Sequence, residues 1–431
     1  MLDIKYIREH AEEVKENCEQ RRVKVDVDEL LRLDGERLKL ILRVEALRQE
    51  RNEIAEKMKT PKAGRLERAS PVARAGEREA FITRGKEVKQ EIAELEPKLK
   101  TAEESANNLL LQVPNLTHPD TPRGESDADN RELKVIGKVS KPKFQPKSHV
   151  ELAAQHDLID FERGAKVAGT KFYFLKGKLA ILEQALIRYG IDFSMREGFE
   201  FLMTPDVAKE EVMVGKGFLP RGPEKQVYYI EGEDLALIGS SEATVLGYHM
   251  NETLAADQLP KKYVALSHCF RREAGAYGRE SYGLYRVHQF SKVEMFAFGA
   301  PDQSEAIHLE FLRLEEAFWK SLEIPFRVVD CCAGDLGGSD YRRYDLEAWM
   351  WGKNEGKGGW GEVTSTSNCL DFQARGLNIK SSNKEFVHTL NGTVVATPRA
   401  LLSILENHQQ ADGSIKIPKV LQSYCGFEKI G

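Results

Sequence analysis

Between residues 28 and 113 the apolar positions return in alternating steps of three and four. Leu33, Leu40, Val44, Leu47, Ile54 and Met58 form one run, with Arg37 and Arg51 as polar interruptions. Phe81, Val88, Ile92, Leu95, Leu99, Ala102, Ala106, Leu109 and Val113 form a second. That rhythm keeps an apolar seam on one helix face, and two such limbs around a Pro/Gly-bearing turn predict an antiparallel helical hairpin. Each limb of about 30 residues would extend roughly 45 Å. Pro97 falls inside the second limb, where the missing N–H and the ring predict a kink or a helix end. Ahead of the hairpin, the opening MLDIKYIREHAEEVKENCEQRR is an amphipathic helix pattern. After it, VPNLTHPDTPRGESDADN (113–130) is a turn-rich linker. Beyond about residue 148 the period shortens: FYFLKG, QVYYI, KYVAL, VEMFAFG, RVVDC and GEVTST are short β-rich runs set between helices. This mixture predicts an α+β domain with an antiparallel sheet flanked by helices. The expected organisation is a helical domain over 1–113, a linker over 114–147 and a second domain over 148–431.

Composition narrows the class without changing that outline. The chain has 431 residues, 41% hydrophobic and 30% charged, enough for two or three domains with a large core. No run approaches the 18 apolar residues of a membrane span, and the first twenty residues are charged almost throughout, so no membrane partner and a cytosolic location are expected. The six cysteines form no CxxC pair, and neighbouring Cys331 and Cys332 cannot both aim at one metal from an extended strand; buried, reduced thiols and no zinc are expected. The formal net charge of −5 means that any nucleic-acid contact rests on a local patch. One such patch stands out at the hairpin tip, where Lys57, Lys59, Lys62, Arg65, Arg68 and Arg74 meet only Glu67. A solvated coiled-coil end is the plain reading. A rigid arm tipped with cations also suits an RNA helix recognised by shape.

The richest chemistry lies in FRREAGAYGRESYGLYRVHQFSKVEMF (270–296). Arg271 can grip a phosphate with two parallel N–H donors, Phe290 can stack on a base, and Glu273 or Glu294 can receive an amine. Gly275, Gly278 and Gly283 suit a loop that folds over a nucleotide. The chain has no GxxxxGK[ST] loop, so this is nucleotide chemistry of another type.

This segment resembles motif 2 of the class II aminoacyl-tRNA synthetases, in the form found in seryl-tRNA synthetases. The resemblance continues in order along the chain. GFEFLMTPDVA (198–208) resembles motif 1, a dimer element. VGKGFLP (214–220) and GSSEAT (239–244) resemble amino-acid-pocket segments. GDLGGSDYRRYDLEAWM (334–350) and GEVTSTSNCLDFQARG (361–376) resemble the sheet core, and VHTLNGTVVATPRALLSILENHQQADG (387–413) resembles motif 3. Two departures keep charge: RRYDLE (342–347) stands where KTYDLE is usual, and Lys171 stands where Arg is common. The TPR form of motif 3 is nearer to organellar-type members.

What the resemblance implies is a ligase that joins serine to tRNA in two steps through seryl-adenylate, using ATP and Mg²⁺. Its partners would be tRNA(Ser), also tRNA(Sec) where that exists, and a second copy of the chain, with no DNA. Arg271 and Arg399 would carry the phosphate charge. Arg272, Glu273, Phe290, Glu362, Val363, Thr364 and Ser365 would complete the ATP site, with Glu362 and Ser365 on the metal. Ser240, Ser241, Glu242, Glu294 and Thr393, with Arg271, would hold serine, and the basic tip of the arm would hold tRNA. Residue by residue the plain readings differ: a strand Phe is ordinarily core, and a strand Glu ordinarily faces water. Motif 3 also has a logic of its own: Thr397 as N-cap, Pro398 in the first turn and an apolar stripe of Leu401, Leu402 and Leu405 place Arg399 at a helix start. Two alternatives compete with the ligase. A paralogue that charges a carrier protein would lack the long arm. An inactive RNA-binding paralogue would have lost one of Arg271, Glu273, Glu294, Glu362 or Arg399.

Overall fold

The computed structural model describes residues 1–59, 71–217, 226–273 and 283–431, with the side chains of 71–75 and 77 also set aside. The arm-tip residues Lys62, Arg65 and Arg68, the Arg74 side chain, Gly275, Gly278 and residues 218–220 therefore lie outside the described set. Contacts divide the chain into two units, one of 3–16 with 24–113, the other of 1–2, 17–23 and 114–431.

The first unit is built on two long helices, α1 (Val27–Lys59) and α2 (Pro71–Leu110). Leu47, Ile54, Val88 and Ile92 form the buried seam between them, flanked by Phe81 and Leu95. Each such aliphatic side chain removed from water contributes about 1.5–3 kcal/mol. Cross-helix ion pairs fix the antiparallel register: Arg43 to Glu91 at 2.6 Å, Arg48 to Glu96 at 2.8 Å, and Arg84 to both oxygens of Glu50 at 2.7 and 2.9 Å. Of the kink or helix end expected at Pro97, the end does not occur: α2 runs through it. Pro97 is exposed, and the Thr101 hydroxyl donates to its carbonyl at 3.0 Å.

The second unit is organised by one eight-stranded sheet. Its strands in chain order are β1 (Arg131–Ile136), β2 (Glu200–Met203), β3 (Lys261–Phe270), β4 (Gln289–Gly299), β5 (Phe326–Asp330), β6 (Arg342–Met350), β7 (Gly359–Asn368) and β8 (His388–Ala396). They lie in the order β1-β5-β6-β7-β8-β4-β3-β2. Every adjacent pair is antiparallel except β2 with β3, which is parallel. Two features depart from the sequence reading. The sheet is mixed at that one edge, and β1 arises inside the stretch expected to be linker; its RELKVI is exposed at five of six positions, so it carries no apolar face to announce it.

Helices α3 (Gly177–Arg196), α4 (Glu210–Lys216), α5 (Glu242–Tyr248), α6 (Ser304–Ser321), α7 (Phe372–Leu377) and α8 (Thr397–Asn407) surround the sheet. Strand β4 shows how the layers divide. Val293, Met295 and Ala297 enter the main core with α3, α6 and α8, whereas Phe296 and Phe298 join a smaller cluster with residues of α5 and α7. Because strand side chains alternate, Lys292 and Glu294 share a face with Phe296 and Phe298. Helix α3 reaches the sheet closely at Gly190, where an added Cβ would lie 3.3 Å from Val395.

Candidate active site

Five elements converge on one cleft over the centre of the sheet. It is lined by the chain just after β3, the return segment 284–287, and the starts of β4, β7 and α8. Of the residues expected at an ATP site, Arg271, Glu273, Phe290, Glu362, Val363, Thr364, Ser365 and Arg399 all line it. Arg271 sits where β3 ends; its Nε donates to the Gly239 carbonyl at 3.2 Å, and its guanidinium carbon lies 5.4 Å from the Phe290 ring centroid. Glu273, held at a positive φ of 48°, is tied by Arg286 at 3.0 Å.

Arg399 projects from the first turn of α8. Its NH1 reaches Glu362 Oε1 at 3.1 Å and the Glu362 carbonyl at 3.0 Å, and its Nε the Tyr285 carbonyl at 3.4 Å. The guanidinium also stacks 4.9 Å above the Tyr285 ring. Here the expected cap is corrected: Ala396 is the N-cap and Thr397 already belongs to the helix, its hydroxyl donating to Glu183 at 2.6 Å. Burial alone would raise the Glu362 carboxyl, but the guanidinium groups of Arg399, Arg343 and Arg271 outweigh it and hold the group well below the usual carboxylate range. Glu362 therefore presents an ionised, hard oxygen, 44% exposed, beside Ser365. That donor set fits Mg²⁺ in the company of phosphates.

Deeper in, Glu294 of β4 and Thr393 of β8 face each other in register, and the Thr393 hydroxyl donates to Glu294 at 3.3 Å. Glu294 is only 2% exposed and forms an ion pair with Lys292. Burial pushes its carboxyl up, opposed by Lys292. The expected serine residues Ser240, Ser241 and Glu242 are buried and do not line this cleft. Ser240 Oγ accepts from the Glu242 N–H at 3.2 Å, while Ser241 Oγ has no hydrogen-bond partner among the described residues. Glu242 is held from three directions: Lys216 at 2.5 Å, Gln373 at 2.6 Å and Asn391 at 3.2 Å. A close crossing of α4 and α7 permits this, since a Cβ on Gly376 would lie 2.3 Å from the Gly215 carbonyl.

One expected ATP residue is not brought into the cleft: the Arg272 side chain is exposed and stacks 5.8 Å from Tyr228. Of the tRNA candidates on the described part of the arm, Lys57 and Lys59 are both exposed at the end of α1. Sequence reasoning missed Lys292, Tyr285, Arg286, Lys216, Gln373 and Asn391. Lys292 was findable, because an i, i+2 spacing in a strand places it beside Glu294. The others meet their partners only through tertiary packing.

All six cysteines are free and buried. Among the described residues one donor cluster has the spacing of a metal site, Cys331, Asp335 and Asp345. Arg343 already supplies its cation, donating to Cys331 Sγ at 3.3 Å, Asp345 at 3.0 Å and Asp335 at 2.7 Å.

Comparison with known proteins finds relatives along the whole chain. Residues 1–117 match the seryl-tRNA synthetase N-terminal domain, and 227–408 match the tRNA synthetase class II core domain (G, H, P, S and T). A serine–tRNA ligase of Treponema denticola is 49% identical over 435 residues, covering all of both chains. One from Rubrobacter xylanophilus is 46% identical over all of this chain and 99% of its own. Among solved structures, seryl-tRNA synthetase from Pyrococcus horikoshii complexed with ATP superposes with a TM-score of 0.85 at 37% identity, covering 100% of this chain and 99% of that one. The cytoplasmic serine–tRNA ligase of Naegleria fowleri in complex with AMP gives 0.83 at 31% identity, over 100% and 98%.

Proposed function

Because the chain belongs to the seryl-tRNA synthetases, ATP-dependent serine–tRNA ligases of class II, we propose the following division of labour among its residues. Serine activation is attack of its carboxylate on the α-phosphorus of ATP with loss of pyrophosphate. Arg271 holds the α-phosphate and the serine carboxylate, where its bidentate fork spans both anions. Phe290 and Arg399 flank the adenine, Glu273 receives its exocyclic amine, and Arg399 also faces the outer phosphates. Glu362 and Ser365 hold Mg²⁺, which supplies charge neutralisation for the phosphates. Serine sits over Glu294 and Thr393, whose polar groups would be stranded beneath alanine. Glu242 contributes at one remove, because three neighbours already occupy it, and buried Ser240 supports it by accepting its backbone N–H. The single observation that carries this reading is the convergence of Arg271, Phe290, Glu362 and Arg399 on one cleft above the Glu294–Thr393 pair.

Transfer of the seryl group to the terminal ribose of tRNA completes the reaction: the ribose hydroxyl forms the ester, the acyl–phosphate bond breaks, and AMP leaves, with the adenylate's own phosphate as the proton acceptor. The partners are tRNA(Ser) and, where present, tRNA(Sec), gripped by the cationic end of the arm through Lys57 and Lys59. A homodimer is supported by β2, a sheet-edge strand whose Met203 is 77% exposed. The cytoplasm is the proposed place of work, as suits a chain whose relatives at 46–49% identity are bacterial. The test is serine-dependent exchange of pyrophosphate into ATP, which requires serine, is not supported by alanine or threonine, and is lost in Arg271→Ala.

A further inference from the structure

His149 is the first residue of a helix over His149–His156, 250 residues away in sequence from the Arg399 helix, yet it joins that helix to the cleft. Its Nδ1 lies 2.7 Å from Glu406 Oε1 on α8, and its own backbone N–H donates to the same oxygen at 2.9 Å. The other Glu406 oxygen accepts from the Gly352 N–H at 2.8 Å. On the far side of the ring, Nε2 accepts the backbone N–H of Leu284 at 3.1 Å. The two contacts fix the tautomer: Nδ1 carries the proton toward Glu406, and Nε2 is left as an acceptor. Both side chains are buried, 7% and 1% exposed. The approach is close enough to require glycine next door, because a Cβ on Gly283, at φ +64°, would lie 2.1 Å from Nε2.

What Leu284 begins is the return segment of the nucleotide loop. The next residue, Tyr285, supplies the carbonyl at 3.4 Å and the ring at 4.9 Å that hold Arg399. The one after, Arg286, holds Glu273 at 3.0 Å. We propose that His149, oriented by Glu406, is a positioning residue for ATP: by pinning the Leu284 amide it sets Tyr285 and Arg286, and through them Arg399 and Glu273. The inference rests on the assignment of Arg399 and Glu273 to the nucleotide. None of the hydrogen-bond partners of His149 is a residue proposed to hold serine, so the effect of losing it falls on ATP.

Two variants separate this from a merely structural role. His149→Asn keeps an amide near Nδ1 for Glu406 but cannot reach Leu284; His149→Gln reaches toward Leu284. In serine-dependent ATP–pyrophosphate exchange, His149→Asn should raise KM for ATP roughly tenfold, the scale of a stranded buried N–H, with KM for serine unchanged. His149→Gln should recover most of that loss. An unchanged KM for ATP in His149→Asn, an equal rise for both substrates, or no recovery in His149→Gln would overturn the proposal. Should the Asn variant not fold, hydrogen exchange in the wild-type protein decides: the Leu284 amide must be protected without ligand, and free exchange there refutes the pin. Absence of exchange activity in the wild type would instead count against the enzymatic reading itself.

Discussion

Replacing Arg399 with Met removes a charge from the cleft while keeping side-chain length, and the structure gives different magnitudes for its effects on stability and on rate. The guanidinium is 17% exposed and meets Glu362 at 3.1 Å. At an effective dielectric near 20 that contact corresponds to a raw attraction of about 5 kcal/mol. Desolvation and the open side of Glu362, 44% exposed, reduce the net contribution to about 1 kcal/mol. A melting midpoint lower by about 1–2 °C is therefore expected. The rate effect should be much larger. If Arg399 faces the charge that gathers on the phosphates, losing it costs about 3–4 kcal/mol in the transition state, or 10²–10³ in kcat/KM for ATP–pyrophosphate exchange. The pH dependence supplies a second check. Glu362 has a folded-state carboxyl held below its ordinary value, so its pairing adds stability above the unfolded value, about 4.3, and loses it as pH falls toward the lower folded one. The gap in melting midpoint between wild type and Arg399→Met should narrow as pH drops below about 4. Exchange within about threefold of wild type would refute the placement of Arg399 on the nucleotide, whatever the change in stability.

Thr393→Val removes the hydroxyl that meets Glu294 and should lower the preference for serine over alanine by about tenfold or more in the same exchange assay. Glu294→Ala strands the buried Lys292 and should lower stability by about 3–5 kcal/mol, read in a denaturant titration, whereas Glu294→Gln should lose much less. Gly376→Ala forces α7 off the Gly215 carbonyl and should destabilise by roughly 1–3 kcal/mol, together with a raised KM for serine. Lys57→Glu combined with Lys59→Glu should weaken aminoacylation of tRNA in a salt-dependent way and leave pyrophosphate exchange unchanged.

Much of this was legible in the sequence because it is encoded in local periods and close spacings. The heptad seam of the arm became the Leu47–Ile54–Val88–Ile92 contact, and Arg271, Glu273 and Phe290 lie within one stretch of twenty residues. What escaped depends on the third dimension. Tyr285 is an unremarked aromatic until α8 brings Arg399 over it, and Glu242 is an ordinary helix-start acid until Lys216, Gln373 and Asn391 close on it. Strand β1 was hidden by its polarity, since an edge strand with five exposed residues leaves no alternation to detect. At Pro97 a local rule with a cost of about 3 kcal/mol favours a kink or an end, yet the helix continues through it. Thr397 has the residue type of a cap, but its hydroxyl was drawn to Glu183, a partner 214 positions away.

The measurement that bears most directly on the central claim is serine-dependent ATP–pyrophosphate exchange by the purified protein and by Arg271→Ala, with threonine, alanine and glycine as controls. The account predicts exchange with serine alone in the wild type and its loss in the variant with the fold intact. Exchange absent from the folded wild-type protein, or undiminished in Arg271→Ala, would contradict it.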